Sequence, residues 1–468
     1  MTVNDTKGTG GIDSTYPFKI MSDATFILNG GNITSNKGSV VDIYTSVSNV
    51  HVGIHGGAMI ANADNTMGVR GKQNVSVDIT GGTITSATNR LAMYVSGDQD
   101  GAIQLNISGG MISGRTAVQV SDQASVNVSG GGVYVEGLNG TAAFTMLSGE
   151  ITGNQLTEQF EDGDYWMADG AGICAYASDK GQMSLEVLGG TIADNHVTSS
   201  QTEETGVGSA ISLNSVDGIV FPSMRLGKSP VINGDIYLWD EENAGPVIEI
   251  MEDTVLQNPL LIIANWGTEG TTAVRFPPQM DPAEAEALFV SDSENMMLAA
   301  DGNQLKWLEK VRVSFKTPDN GDTYKVIYVR PGTAIDPTLA PIEGSTEGTV
   351  MPPTGYMLAN WKSFGEKENW DFSTKVEAND SPMILLAVWG LKQPTVTVKC
   401  DQETVHIGEK IVLTASAEHE EKNVTYTYQW YRGKKAIDGE TKNTLAVTEG
   451  GSYMYCYGSH IWRRMEIR

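Results

Sequence analysis

A pair of glycines followed by a short apolar stretch recurs through the first half of the sequence and constrains its fold more than any other feature. The second glycine, or the residue in its place, stands at positions 31, 57, 82, 110, 131, 149 and 190, so most repeats are 18 to 28 residues long and the last is 41. Alternating apolar residues precede the pairs, as in Val75–Ile79 and Leu185–Leu188. This pattern predicts short strands whose inward residues stack on the next turn, with glycine corners that permit positive φ and close approach of neighbouring turns.

The repeat length selects among the coiled folds. A leucine-rich repeat has a similar period but needs a regular Leu-x-x-Leu-x-Leu ladder, which this sequence lacks. A propeller blade needs about 40 residues, which fits only the last repeat. A turn of roughly 20 to 28 residues with three short strands suits a right-handed β-solenoid. We therefore predict an all-β protein that begins with a right-handed parallel β-helix and carries an insertion in its 41-residue repeat.

The charge balance excludes two classes of partner. The chain has 31 basic and 57 acidic residues among 468, which gives a formal net charge of −26. Such a chain repels nucleic acids and anionic lipids, so we expect no nucleic-acid partner and no membrane insertion. Neither a signal peptide nor an apolar stretch of about 18 residues is visible. The three cysteines, Cys174, Cys400 and Cys456, form neither a disulfide framework nor a CxxC zinc pair.

Several units of the first 310 residues share one form. They include Gly81–Thr85, Gly189–Asn195, the glycine run Asp169–Tyr176 and Ser229–Leu238. On these motifs, residues 8–310 resemble the pectin-lyase-like β-helix repeats of gut bacterial cell-surface proteins. The resemblance implies a right-handed parallel β-helix in an extracellular or cell-surface protein.

The stretch Asp281–Leu288 has the composition of a short helix. We predict that it belongs to the C-terminal cap that a solenoid needs. No comparable cap precedes Gly10, so we expect the chain to be a segment of a longer protein, with an export signal before it and a wall anchor after it.

A different pattern occupies residues 311–390. A Gly-Tyr pair, a tryptophan, a Trp-Asp-Phe triplet and a final Ala-x-Trp occur in that order, and they contain Trp361, Trp370 and Trp389. This order resembles the Listeria–Bacteroides repeat, or internalin-type B-repeat, which implies a small β-grasp-like module. We expect the three tryptophans to lie in its core, since so small a module has little else to bury.

Residues 394–468 resemble an immunoglobulin-like domain. Trp430 matches the buried tryptophan of that fold and Tyr453 its corner tyrosine. The two cysteine positions are occupied by Ala415 and Tyr455, while Cys456 lies one residue away, so we predict no disulfide between the sheets. The last residues break the alternation, which predicts a truncated domain without a final strand.

The candidate binding site is the insertion between the repeats at positions 149 and 190. Acidic side chains and two aromatics on a long loop could hold a sugar or a Ca²⁺ ion, although the spacing is not that of an EF-hand. A solvated loop with one aromatic packed on the helix is the alternative. The candidate residues are Glu158, Glu161, Asp162, Asp164, Tyr165, Trp166 and Asp169. His51 and His55 fall on one face of a strand and are interpreted as exposed residues without a third metal ligand.

Three functions are compatible with this organisation. We favour a non-catalytic, adhesin-like surface protein that is monomeric, needs no cofactor and binds a glycan or a host or matrix protein through the β-helix, with the two C-terminal modules as a stalk. The first alternative is a polysaccharide lyase or glycoside hydrolase, which requires three or more carboxylates with Arg or Lys on one face of adjacent turns. The polygalacturonase motifs are missing from the sequence. The second alternative is a segment of a phage tail fibre, for which a trimer is expected.

Overall fold

A computed structural model describes residues 2–467 except 4–10, 16, 45, 71, 90, 98–101, 120–131, 138–139, 160–169, 179, 200–206, 216–219, 240–244, 265–266, 345–348, 403–405, 407, 423, 450 and 458–460. The chain forms two compact units, Met1–Glu309 and Lys310–Arg468, which we call the N-terminal and C-terminal units. Both consist mainly of strands, so the prediction of an all-β protein is confirmed. The long parallel sheets of the N-terminal unit are compatible with a β-helix.

Successive turns of the N-terminal unit stack through two sheets. Each turn gives one strand to a ten-stranded parallel sheet and the following strand or strands to a nineteen-stranded sheet. The strands of the ten-stranded sheet are Phe18–Ile20, Val41–Ile43, Met67–Arg70, Met93–Ser96, Val133–Gly137, Ile173–Ala177, Ile211–Ser215, Asp235–Leu238, Leu260–Ala264 and Phe289–Ser291. The strands of the nineteen-stranded sheet are Thr2–Val3, Gly11–Ser14, Ala24–Leu28, Asn32–Ser35, Ser48–Ile54, Ala58–Ala61, Gln73–Asn89, Ala102–Gln119, Thr141–Thr152, Gln155–Gln159, Gln182–Val187, Thr191–Ala193, His196–Ser199, Ser223–Leu226, Val231–Ile232, Ile248–Ile250, Thr272–Arg275, Met296–Asp301 and Gln304–Glu309.

Inward side chains form columns that run along the stack, as the alternation predicts. Residues in register on adjacent turns lie one above the other, so each apolar side chain packs on the equivalent one of the next turn. One column of eight residues is buried along its whole length. Its members are Leu28, Ile54, Ile79, Ile107, Met146, Val187, Leu226 and Ile250.

The glycine pairs form the corners between the two strand segments of the nineteen-stranded sheet. Gly57 and Gly82 have φ of 87° and 84°, a region that favours glycine. A Cβ on Gly57 would lie 2.3 Å from the carbonyl oxygen of Gly31 on the preceding turn, and one on Gly109 would lie 2.3 Å from that of Thr80. Both predicted reasons for the glycines, positive φ and close approach, are therefore confirmed.

One predicted corner, at Gly131, lies outside the described residues, and the strand register contradicts it by pairing Met111 directly with Glu150, so that Gly149 follows Gly110 in the stack. Gly132 precedes Val133–Gly137, a strand of the ten-stranded sheet, and its N–H donates to the Ala171 carbonyl at 2.8 Å. A Cβ there would lie 2.6 Å from the oxygen of Gly172, so this glycine permits close approach at a different corner. Three consecutive turns, not one, are about 40 residues long, because Met111, Glu150, Thr191 and Val231 are in register on successive turns.

The C-terminal end of this unit closes with antiparallel pairing. The predicted short helix is present as Pro282–Leu288, and the Asp281 side chain caps it by accepting from the Ala283 N–H at 2.8 Å. Gln304–Glu309 pairs antiparallel with Met296–Asp301 and with Thr272–Arg275, whereas the preceding turns pair in parallel. No helix in the described part of the chain is long and apolar enough to cross a membrane.

The C-terminal unit begins with a four-stranded mixed sheet, which defines the mixed-sheet module. Its strands, in spatial order, are Thr323–Val329, Val311–Lys316, Met383–Leu391 and Tyr356–Ser363, and the central pair is parallel. Two short strands, Thr333–Ala334 and Lys375–Val376, and two 3-10 helices, Pro337–Leu339 and Ala378–Asp380, complete it. Trp361 is buried in the core, as predicted, whereas Trp370 and Trp389 are only partly buried and pack against that core.

The remaining strands form the two-sheet module. Thr395–Cys400, Ile411–Glu418 and Thr444–Val447 make one antiparallel sheet, and Gln429–Arg432, Lys435–Ala436, Gly451–Tyr457 and Ile461–Ile467 make the other. Trp430 and Ala415 lie in its core. The prediction that the domain lacks a final strand is wrong, because Ile461–Ile467 pairs with Gly451–Tyr457 along seven residues. Neither Cys174 nor Cys400 forms a disulfide with a described cysteine, while the Cys456 side chain falls outside the described atoms, so the predicted lack of a disulfide between the sheets stays a prediction.

Candidate functional site

The acidic loop predicted from the sequence falls almost wholly outside the described residues. Glu158 lies in the strand Gln155–Gln159, in register with Ser199. Glu161, Asp162, Asp164, Tyr165, Trp166 and Asp169 lie outside the described residues. The described residues resume at Gly170, just before the strand Ile173–Ala177 of the ten-stranded sheet. The loop thus joins the two sheets, and its role as a binding site stays a prediction.

The outward face of the ten-stranded sheet holds a polar and aromatic cluster that the sequence reasoning missed. Val95 and Val135 point into the core, so the alternating neighbours Tyr94, Tyr134 and Glu136 point away from it. Tyr94 is in register with Tyr134 on the next turn. We define the tyrosine cluster as Arg70, Tyr94, Tyr134, Glu136 and Tyr176.

The cluster is held by stacking and by one shared carboxylate. The Tyr94 and Tyr134 rings are stacked, with centroids 5.4 Å apart and planes 6° apart, and Tyr176 continues the row at 5.5 Å from Tyr134. Both phenols donate to Glu136, Tyr94 to Oε1 and Tyr134 to Oε2 at 2.6 Å. Glu136 is only 4% exposed, and burying a carboxylate is costly unless donors satisfy it.

A cation covers the exposed end of this row. The Arg70 guanidinium carbon lies 4.9 Å from the centroid of the Tyr94 ring, within the range of a cation–π contact. A guanidinium has five N–H donors and no acceptor, and no described carboxylate pairs with those of Arg70.

The electrostatics fix the protonation of the two phenols. Burial, together with the negative charge of Glu136, raises the pKa of Tyr94 and of Tyr134 above the ordinary value. Both side chains consequently stay protonated at neutral pH and act as hydrogen-bond donors to Glu136. A tyrosinate, which a proton-abstracting lyase would require from these residues, is disfavoured.

Alkaline pH should weaken the fold through Tyr134. Its pKa in the folded state is raised, so the unfolded chain releases the phenolic proton first, at about pH 10. The stabilisation is complete below that pH and is lost as pH rises towards the folded-state pKa, at up to about 1.4 kcal/mol per pH unit. Urea unfolding between pH 9 and 11 should show a steeper loss for the wild type than for Tyr134→Phe, and equal slopes would contradict the assignment.

The described carboxylates of this face do not form a hydrolytic pair. Asp42 and Asp235 lie on strands of the same sheet, each three strands away from the strand of Glu136. With strands about 4.8 Å apart, the separation is roughly 14 Å or more, whereas paired glycosidase carboxylates are about 5 to 9.5 Å apart. These three described residues therefore cannot act together on one glycosidic bond.

The two histidines lie on the nineteen-stranded sheet, on one outward face as predicted. His51 Nδ1 is 3.0 Å from Ser76 Oγ and 3.4 Å from an Asp78 carboxylate oxygen, and His55 Nδ1 is 2.7 Å from Thr80 Oγ1. Each ring is thus bonded to the next turn. No group of three or more His, Cys, Asp or Glu side chains in the described part of the chain could hold a metal ion.

The tyrosine cluster had a sequence signal that the repeat assignment obscured. Met93–Ser96 and Val133–Gly137 both carry an outward tyrosine at the second position, which marks them as equivalent strands. Because a glycine corner was predicted at Gly131, Val133–Gly137 was not recognised as the strand equivalent to Met93–Ser96, so the two tyrosines were not aligned.

No protein-family model matches this chain, and comparison with curated proteins finds no match.

Proposed function

We propose that this chain is a non-catalytic, adhesin-like protein of the bacterial cell surface or extracellular space. Its N-terminal unit is a right-handed parallel β-helix that binds a glycan or a host or matrix protein. The C-terminal unit is a stalk made of a Listeria–Bacteroides-type β-grasp module and an immunoglobulin-like module. No metal or cofactor is required for this function.

The strand pairings support these fold assignments. Connections between parallel strands are right-handed in nearly all proteins, which favours the right-handed form of the β-helix. A mixed sheet with a parallel central pair and antiparallel edges is typical of a β-grasp. Two antiparallel sheets around a buried Trp430, whose Nε1 donates to the Lys442 carbonyl at 2.9 Å, favour an immunoglobulin-like sandwich.

The tyrosine cluster is the observation that carries the binding function. It places the exposed Arg70 guanidinium, which forms no ion pair with a described residue, over the ring at the end of a row of stacked aromatic side chains. The phenols are held in place by Glu136, so little side-chain entropy is lost when a ligand binds. The exposed Arg70 supplies N–H donors and the partly exposed Tyr94 supplies an aromatic ring and an acceptor oxygen, a combination that suits the hydroxyls of a sugar.

The test combines glycan and host-protein arrays with a depolymerisation assay on acidic polysaccharides. We expect a ligand on the arrays and no product release. Arg70→Ala should weaken that binding about tenfold or more, the cost of losing a charged hydrogen-bond donor. Lys72→Ala removes an exposed cation nearby in the chain and should leave binding unchanged. Release of unsaturated or hydrolysed sugars would replace the proposal with the enzyme alternative, and equal loss in both variants would exclude the cluster.

A further inference from the structure

One face of the four-stranded mixed sheet lies outside the core of its module. Val313, Phe315 and Leu385 point into that core, so their strand neighbours point to the opposite side. Residues opposite one another on paired strands share a face, so the strand pairings identify the remaining residues of the face opposite the core. We call this surface the open sheet face. It comprises Arg312, Ser314, Lys316, Val326, Tyr328, Asn360, Lys362, Ile384, Leu386 and Val388.

The sheet is basic in an otherwise acidic protein. Its four strands contain four basic residues and no acidic residue, although the whole chain has a net charge of −26. Three of the cations, Arg312, Lys316 and Lys362, belong to the open sheet face. None of the three forms an ion pair with a described residue. The face therefore presents a local positive charge that an acidic partner would neutralise.

Apolar side chains occupy the space between these cations. Leu386 is only 5% exposed although it faces away from the core, and Val326, Ile384 and Val388 are half-buried around it. None of these four belongs to a hydrophobic core cluster of the described residues. The Phe364 N–H donates to the Ile384 carbonyl at 2.9 Å, and the Phe364 side chain is 57% exposed. Apolar surface of this kind is stabilised when a partner removes it from water.

The buried hydroxyl of Ser314 is a second indication that the open sheet face binds a partner. Ser314 is 1% exposed and stands between Val326 and Ile384, and its Oγ has no hydrogen-bond partner among the described atoms. An unsatisfied buried hydroxyl destabilises a fold, and a partner that shifts the neighbouring side chains could supply the missing bond.

We propose that the open sheet face docks an acidic protein segment that carries apolar side chains between its carboxylates. The three cations favour a negatively charged partner. The apolar side chains between them favour a protein over a hydrated polyanion, because a polyanion cannot remove these side chains from water. A second copy of this face is excluded as the partner, because three cations would be brought against three cations. This gives the mixed-sheet module a role in assembly beyond that of a spacer.

Three probes separate charge from apolar contact when tested on the full chain by isothermal titration calorimetry. They are a random copolymer of glutamate and tyrosine, polyglutamate and heparin. We expect the copolymer to bind at least about tenfold more tightly than the other two, since only it supplies apolar side chains. The double substitution Val326→Thr and Ile384→Thr should remove that preference. Equal binding of all three probes would make the face a polyanion site and overturn the assignment to a protein partner.

A matched pair of triple variants locates the binding. Arg312→Ser, Lys316→Ser and Lys362→Ser together should weaken copolymer binding about tenfold or more. Lys410→Ser, Lys434→Ser and Lys435→Ser make the same change of net charge on exposed lysines of the two-sheet module and should have little effect. Circular dichroism melts establish that each variant is folded. The docking face is refuted if both triples lose affinity equally, or if the wild type does not bind the copolymer.

Discussion

Gly57→Ala should destabilise the N-terminal unit by about 3 kcal/mol or more, which is enough to prevent a marginal domain from folding. The new Cβ would lie 2.3 Å from the Gly31 oxygen and 2.9 Å from the Gly30 carbonyl carbon, and both atoms are backbone. Backbone atoms of a stacked turn cannot rotate away as a flexible side chain does. The residue would also be held at a φ of 87°, which costs an L-residue about 1 to 2 kcal/mol. Urea unfolding followed by circular dichroism measures the loss.

Gly153→Ala is the matched control for this prediction. Gly153 also has a positive φ, of 69°, but no atom lies within 4 Å of its added Cβ. The substitution should therefore cost only the conformational strain, about 1 to 2 kcal/mol. If the two variants lose the same stability, close approach between turns is not the reason for the glycine pairs. If Gly57→Ala alone prevents folding, the spacing between turns controls the stack.

This contrast explains how far the sequence determines the fold. Glycine pairs and period-two alternation reflect local sterics and burial, so they predicted the corners, the strands and the stacked columns. They did not predict Ile461–Ile467, whose sequence Ile-Trp-Arg-Arg-Met-Glu-Ile breaks the alternation. Its pairing with Gly451–Tyr457 depends on a neighbouring strand and not on its own pattern. The corner after Gly110 was predicted at Gly131 instead of Gly149 for a similar reason, because glycines at different corners look alike in sequence.

The site was harder to predict than the fold. A cluster such as Arg70, Tyr94 and Glu136 draws on three turns of the chain, and its members are 24 and 42 residues apart in sequence. Only the register between strands brings them together. The candidate site was instead predicted in the acidic loop, because charged and aromatic residues are close together there in sequence. Proximity along the chain is a poor guide in a stacked fold, since neighbours in space are usually a full turn away.

The double substitution Tyr94→Phe and Tyr134→Phe should destabilise the N-terminal unit by about 3 to 5 kcal/mol. It leaves the Glu136 carboxylate, 4% exposed, without the two phenols that donate to it. A buried charge without donors is far more costly than a buried apolar group of the same size. Adding Glu136→Leu removes that charge and should recover most of the lost stability. Urea unfolding of the double and triple variants measures the coupling.

The triple variant also separates the structural role of the cluster from its role in binding. It keeps an aromatic ring under Arg70 and the row of stacked rings, but it lacks the two phenolic oxygens and the carboxylate that holds them. If these oxygens contact the ligand, the variant should fold like the wild type and bind at least about tenfold more weakly on the same arrays. If it folds and binds as the wild type does, the tyrosines only stabilise the stack and the binding face lies elsewhere. Should the triple variant stay as unstable as the double, the buried carboxylate is not the cause, because removing it would have relieved the cost.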